Sequence, residues 1–358
     1  MVYSGKKLSI VTDYIIEYIR SNDLKSGQRL PTESEMIEAT KVSRVTLRRA
    51  LANLQAAGYI TSIQGSGYFV GNEMYKTDVR SLPIIISYNH QSSQILNIVN
   101  GAQRYLKKKM CYLEILVSHR DPQAEKEMLL ELYEKGCRCV ILFPVSSTDN
   151  NDLYFHLLQN GMKIIFVDRR PEDITCCNLV LSDNMTGGYL AAKHLFELGH
   201  KKIAMFGLEP LHLTSSILER HIGFLRAFKE YGIPIPEKTY FTSNYRQENE
   251  DVDYLLSKAN GISAIFAASD YAAVDIATHA YSHGIRIPEE LSVIGFDNLE
   301  ITTMFTPNLS TIDQSFSKLG ESAAEIAYSC LSEKQNTITQ KIIPVKLICR
   351  DSTKQFGG

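Results

Sequence analysis

The chain has 358 residues, 44% of them hydrophobic and 22% charged, which is too long for one ordinary domain and apolar enough for two or three cored units. Its formal net charge of −2 hides an asymmetry: residues 1–72 carry nine Lys+Arg against six Asp+Glu, a net of +3, and the remainder carries 29 against 34, a net of −5. The opening Met1-Val2-Tyr3-Ser4-Gly5-Lys6-Lys7 lacks the apolar run of a secretory signal, and no window is apolar enough to span a bilayer. The expectation is a cytoplasmic protein with no membrane partner. The seven cysteines, with Cys176 beside Cys177 and Cys137 one residue from Cys139, fit neither zinc-ligand spacing nor a disulfide framework, so reduced thiols and no metal or cofactor are expected.

Leu8, Val11, Ile15, Tyr18 and Ile19 recur at helical spacing and predict a first amphipathic helix ending near Ser21-Asn22. Thr32-Glu33-Ser34-Glu35 places an acid three positions after a hydroxyl residue, a capping box that opens a second helix running to about Thr40. Ser43 opens a third. In it Leu47, Leu51 and Leu54 form one apolar stripe, while Arg44 and Arg48, four apart, share an outward face beside Arg49. No Asp or Glu occurs from Ala39 to Asn72, so this front suits a polyanion. Two β-rich segments, residues 59–63 and 68–70, flank Gln64-Gly65-Ser66-Gly67 and read as a hairpin. Three helices and a hairpin make a winged helix-turn-helix over residues 1–71.

Several ordered motifs of this head resemble the GntR family of bacterial regulators: Leu30-Pro31-Thr32-Glu33, Val42-Ser43-Arg44, Thr46-Leu47-Arg48, Gly58-Tyr59-Ile60 and Gly65-Ser66-Gly67-Tyr68-Phe69-Val70. The resemblance implies DNA binding, with Arg44 and Arg48 in the major groove, where a guanidinium can take guanine O6 and N7 together. Arg49 then suits a phosphate, and Thr32 and Thr46 are short hydroxyl donors near helix starts. Ser34 is a further DNA-contact candidate, and Gln64, Gly65 and Ser66 form a wing tip slim enough to approach the duplex. Val45 departs from the family, which more often carries a small or polar residue there, and so bears on which base is read.

Residues 72–81 are polar and patternless and read as a linker. From residue 82 the texture becomes short apolar runs (82–88, 113–117, 139–143, 164–167, 203–206, 264–267, 293–296), each followed by helical or loop sequence. Continuous rather than alternating runs fit parallel strands buried on both faces, and their number suits two linked α/β halves with a ligand cleft at the carboxyl ends of the strands. The expected division of residues 82–358 is a first lobe of about 82–181 and 314–334 and a second of about 182–313 and 335–352.

This region is similar to the effector-binding part of the LacI/GalR regulators. The carriers are Ile165-Phe166-Val167-Asp168-Arg169, Asp183-Asn184, Leu198-Gly199-His200-Lys201-Lys202-Ile203-Ala204, Arg220 with Gly223-Phe224, Ser269-Asp270, Ser292-Val293-Ile294-Gly295-Phe296-Asp297 and Leu309-Ser310-Thr311-Ile312. The resemblance implies a two-lobed periplasmic-binding-protein-like fold and a sugar-type effector. Arg220, Asp297, Ser269 and Asp270 then stand where polyol hydroxyls are held, Asp168 is their counterpart in the first lobe, and Tyr88 and His90 follow the first strand at the cleft mouth. With no Trp in the chain, ring packing falls to Phe or Tyr, of which Phe316 is the candidate. A GntR-type head on a LacI-type body resembles the arabinose-repressor subgroup, without the hinge helix usual in LacI proteins.

The reading is a non-enzymatic, ligand-responsive regulator: a homodimer on a palindromic operator in duplex DNA, released by a sugar or sugar derivative. An activator or corepressor-dependent regulator of the same architecture is the alternative. An α/β enzyme is the remoter one, since the chain has no dinucleotide fingerprint, phosphate loop, GxSxG or HExxH. An exported solute-binding protein is disfavoured by the basic head and the missing signal.

Overall fold

The computed structural model describes residues 3–22, 24–56, 58–71, 81–87, 93–210, 214–242, 250–331 and 337–357, in two compact units, Met1–Arg80 and Ser81–Gly358. The expected linker lies outside the described residues except for Ser81, which instead opens a strand.

In the first unit, α1 (Tyr3–Ser21), α2 (Glu33–Thr40) and α3 (Arg44–Ala56) precede β1 (Ile60–Ile63) and β2 (Gly67–Val70). The hairpin is antiparallel, with Ile60 opposite Val70 and Ile63 opposite Gly67. Val11, Ile15 and Ile19 from α1, Met36 from α2 and Leu47, Ala50, Leu51 and Leu54 from α3 meet Ile60 and Val70 in one core. The capping box at Thr32 forms as read, and Ser43 Oγ accepts the Thr46 N–H at 3.3 Å, which starts α3 where the hydroxyl predicts.

The second unit holds two six-stranded sheets. The first sheet uses β3 (Ser81–Ile86), β4 (Tyr112–Val117), β5 (Cys139–Leu142), β6 (Lys163–Val167), β7 (Asn178–Ser182) and β13 (Gln340–Ile343), in the order β13-β7-β6-β5-β3-β4, all parallel. The second uses β8 (Ile203–Gly207), β9 (Tyr240–Thr242), β10 (Ala264–Ala267), β11 (Ser292–Asp297), β12 (Ser310–Asp313) and β14 (Lys346–Ile348), in the order β14-β12-β11-β10-β8-β9, with only β14 antiparallel. Successive residues of one strand serve opposite cores: Ile84 and Ile86 join one cluster with Ile98 and Leu319, whereas Ile85 joins another with Leu129 and Tyr154. That is why the strand runs are continuously apolar.

The third crossing between lobes differs from the expected 334/335. Gln340–Ile343 still pairs with β7 in the first sheet, and only after Pro344 does the chain enter the second sheet as β14. Pro344 has no N–H for a ladder, so it splits what reads as one apolar run into two short strands.

Glycine sets the helix packing in both lobes. In the first, α4 (Ser93–Lys107) crosses α12 (Phe316–Leu331), and a Cβ on Gly101 would sit 2.0 Å from the Ser317 carbonyl oxygen. In the second, α7 (Asn184–Glu197) crosses α8 (Ser215–Glu230), and a Cβ on Gly188 would sit 1.9 Å from the Arg220 carbonyl oxygen. Backbone lies against backbone at both crossings.

Candidate functional site

On the head, burial of the Leu47, Leu51 and Leu54 stripe leaves Arg44, Arg48 and Arg49 exposed on the opposite side of α3. Glu33, the first residue of α2, gathers two of them: Arg48 Nε donates to both carboxylate oxygens at 3.1 and 3.2 Å, and Arg44 Nε lies 3.8 Å away. The Glu33 carboxylate raises the already high Arg48 pKa. Glu33 enters the sequence analysis only within the capping-box stretch and the Leu30-Pro31-Thr32-Glu33 motif, and nothing local marks it as the residue that orients both guanidiniums. Thr46 Oγ1 pairs with Ser43 Oγ at 2.9 Å, Ser34 is exposed, and Gln64, Gly65 and Ser66 form an exposed turn in which Gly65 has φ 80° and Gly67 φ 105°. Thr32 serves the helix cap in this structure. Its N–H and hydroxyl both donate to Glu35, at 2.7 and 2.8 Å, so its donors are committed to the cap.

In the second unit, the strand ends converge on one buried polar cluster. Asp168 follows β6 with φ 70°, and Asp297 closes β11 with φ 125°; both are strained non-glycine conformations that turn a carboxylate away from the strand direction. Arg220, one turn and more into α8, donates from Nε to Asn184 Oδ1 at 2.9 Å and from Nη1 to the Ala268 carbonyl at 2.6 Å. Its guanidinium carbon stacks 3.7 Å from the Phe296 ring centroid, and Nη1 is 3.8 Å from Asp297 Oδ1. Gln314 Nε2 donates to the same Asp297 oxygen. Two acceptors in this cluster, Asp168 Oδ1 and Gln314 Oε1, are buried without a hydrogen-bond partner. The Ser87 and Ser182 hydroxyls, at the ends of β3 and β7, are likewise unpaired. Gln314 carried no sequence signal beyond its place at a lobe crossing.

Ser269 Oγ accepts the Ala272 N–H at 3.2 Å and caps α10 (Asp270–Ser282), beside the carbonyl that Arg220 grips. Asp270, the other expected ligand contact, has both carboxylate oxygens occupied within the protein. Its Oδ2 accepts the Leu299 N–H at 2.7 Å and its Oδ1 the Thr311 hydroxyl at 2.6 Å, so they tie α10 to the segment after β11 and to β12. Phe316 likewise packs in the first-lobe core with Ile95, Leu299 and Leu319 rather than offering a free ring face. Tyr88 and His90 lie outside the described residues.

The lobes also meet at the cleft edge. Ser215, at the start of α8, donates its N–H to Ser147 Oγ and accepts the Arg170 N–H on its hydroxyl, each at 3.0 Å. Arg170 Nη2 is 3.6 Å from Glu219 Oε1. The loop carrying Ser147 is pinned by buried Glu125, which accepts the Val145 N–H and Asn150 Nδ2, both at 2.8 Å, and the Tyr154 hydroxyl.

Burial pushes the Asp297 carboxyl up to about 7, against the opposing pull of Arg220, and also raises Asp168. The folded protein therefore keeps protons that the unfolded chain releases between its ordinary carboxylate range and about 7, and stability falls as pH rises through that window. The melting temperature of Asp297→Asn, set against the parent's, is expected to fall less between about pH 5.5 and about pH 8; the same pH profile in both proteins would contradict the assignment.

Among the described residues no helix is long and apolar enough to cross a membrane. The model of the bacterial regulatory proteins of the gntR family matches residues 9–70, and that of the periplasmic binding protein-like domain matches residues 192–353. The chain is 29% identical over 357 residues to an arabinose metabolism transcriptional repressor of Geobacillus stearothermophilus, covering 96% of each protein. It is 25% identical to an HTH-type transcriptional repressor, PurR, of Mannheimia succiniciproducens, covering 93% of this chain and 97% of that one. Its fold is similar to a ribose-bound LacI family transcriptional regulator from Enterococcus faecium, with TM-score 0.65 and 23% identity over 77% of this chain and all (100%) of that one. A CelR–cellobiose complex aligns with TM-score 0.67 and 20% identity, over 87% of this chain and 92% of that one.

Proposed function

We infer that this chain, a GntR-type winged helix-turn-helix head joined to a LacI/GalR-type effector region as in the arabinose-repressor subgroup it resembles, is a ligand-responsive transcriptional repressor. The head reads duplex DNA through the face of α3 that carries Arg44 and Arg48. The body takes a sugar or sugar derivative between its lobes. Two copies bind a palindromic operator, each head on one half-site.

The observation that carries the effector assignment is the pair of buried, unpaired acceptors, Asp168 Oδ1 and Gln314 Oε1, around a desolvated Arg220. A buried acceptor without a donor costs stability, and a polyol supplies hydroxyl donors to these oxygens while its own oxygens accept from the guanidinium. Effector binding tightens the lobes at the Ser147–Ser215–Arg170 contacts, changes how the two bodies meet, and moves the paired heads out of register with the groove. This needs a higher effector affinity in the released arrangement than in the DNA-bound one.

The test is a gel shift with the DNA upstream of the chain's own coding sequence, with and without a panel of pentoses and hexoses. Salt-sensitive, sequence-selective binding released by one of them is expected. Arg48→Ala is expected to weaken that binding roughly ten- to a hundredfold and relax specificity at one position of each half-site, whereas Arg49→Ala lowers affinity on all sequences and the log–log salt slope by about two, one for each head. Unchanged operator affinity in Arg48→Ala would remove α3 from the groove.

A further inference from the structure

We propose that Val45 reads the 5-methyl group of a thymine in the major groove, so that sequence choice by the head has an apolar component beside its two arginines. The proposal rests on the DNA-binding reading of the head and goes one step beyond it.

Val45 is 79% exposed, the most exposed large hydrophobic side chain among the described residues, and it lies outside the head's core, which takes its neighbours Val42 and Leu47. Neither packing nor helix propensity asks for a valine there. It stands in the first turn of α3, a solvated position where a β-branched apolar residue is a poorer helix former than alanine or a charged residue. It therefore has a use outside the folded monomer.

The surroundings select the occupant. Arg44 precedes it, Arg48 and Arg49 follow three and four positions on, and all three are exposed, so Val45 shares its face with guanidinium groups. A protein partner with a complementary apolar patch would bring those cations against a low-dielectric surface, whereas a duplex neutralises them with phosphate and with guanine O6 and N7. Within the major groove the apolar feature at a base edge is the thymine methyl. Valine suits the task because its single strongly preferred rotamer leaves little side-chain freedom to lose on contact.

The experiment selects a consensus with the full-length protein from a randomised duplex library and then replaces each thymine of a half-site with deoxyuridine, which differs only by the missing methyl. Burying about one methyl group corresponds to roughly a fourfold change in affinity, so deoxyuridine at the one position is expected to weaken binding about fourfold when placed in a single half-site and about sixteenfold when placed in both. Val45→Ala, which alters both heads of the dimer, is expected to weaken binding to the thymine duplex about sixteenfold, as the double exchange does, and to be blind to the deoxyuridine exchange. A wild-type protein indifferent to every exchange, or a Val45→Ala protein that keeps the full penalty, overturns the proposal. So does a Val45→Ala protein whose only change is altered self-association in sedimentation without DNA, which would make Val45 a contact between copies. A library from which no sequence emerges sinks the DNA-reading head and the Val45 assignment together, whereas a clear consensus without a methyl effect sinks the Val45 assignment alone.

Discussion

Arg220→Ala is expected to yield a protein that still binds its operator and no longer answers any effector. Arg220 is the cation of the cleft cluster: it holds Asn184, the Ala268 carbonyl and the face of Phe296, and it lies 3.8 Å from Asp297. A second buried guanidinium, Arg169, lies with its Nε 3.9 Å from Asp168 Oδ2, so Arg220 is the cation that serves the Asp297 side of the cluster. Removing Arg220 takes away both the donor and the charge that opposes the burial of Asp297, while Arg169 still faces Asp168. The fold has a route to tolerate the loss. Removing one partner of a buried ion pair costs about 3–5 kcal/mol when the other charge persists. Here the Asp297 carboxyl, already raised by burial to about 7, takes up a proton instead and becomes neutral. The melting temperature of Arg220→Ala is thus expected to depend on pH more steeply than that of the parent, with the loss concentrated at high pH. Arg220→Lys tests the geometry separately from the charge: it keeps a cation but not the planar fork that reaches Asn184 and Ala268 at once, so it is expected to fold and to respond weakly. Thermal unfolding, operator gel shift and effector titration on the three proteins measure these effects. An Arg220→Ala protein released by effector at the parent's concentration would show that the ligand sits elsewhere.

The same residues show where sequence reasoning reaches and where it stops. The strands and the helix stripe were legible because burial on both faces demands continuous apolar runs and burial on one helix face demands a 3.6-residue period. The carboxylates of Asp168 and Asp297 were legible as groups at strand ends. What distinguishes Asp297 from Asp270 was not. Both are buried acids near one sheet end, and they differ in what faces them: Leu299 and Thr311 satisfy Asp270, while Asp297, which takes the Gln314 amide and the Asp270 backbone N–H, also faces Arg220. The donors to Asp270 come from residues 29 and 41 positions away, a separation at which local pattern carries no information. Phe316 fails for the same reason, since its ring is claimed by residues of several elements. Short strands were also missed. Tyr240–Thr242 and Lys346–Ile348 are three residues long, shorter than any window in which a period can be recognised.

Gly188→Ala is expected to damage effector binding more than its place on a helix surface suggests. A Cβ there would lie 1.9 Å from the Arg220 carbonyl oxygen, while real Cβ contacts stay at or beyond 3.0 Å, so α8 must move out by roughly an ångström. Gly223 faces Met185 across the same crossing with equal closeness, 1.9 Å, and leaves the helices no rotation that relieves the clash. Overpacking of this kind costs about 1–3 kcal/mol, or several degrees in melting temperature for a unit of this size. The larger consequence is positional, because the atom struck belongs to Arg220 itself. Its 2.6 Å bond to the Ala268 carbonyl and its approach to Asp297 both stretch, and a site whose first contacts are misplaced by about an ångström loses roughly tenfold or more in affinity. Gly101→Ala supplies the comparison. Its Cβ would meet the Ser317 carbonyl oxygen at 2.0 Å, a clash of the same severity in the first lobe, but α4 contributes no member of the Arg220 cluster. Equal losses of melting temperature are expected for the two variants, with effector affinity falling in Gly188→Ala and holding within about threefold in Gly101→Ala. If both lose affinity alike, the effect is general loosening of the body, and the close α7–α8 crossing has no special part in aiming Arg220 at the ligand.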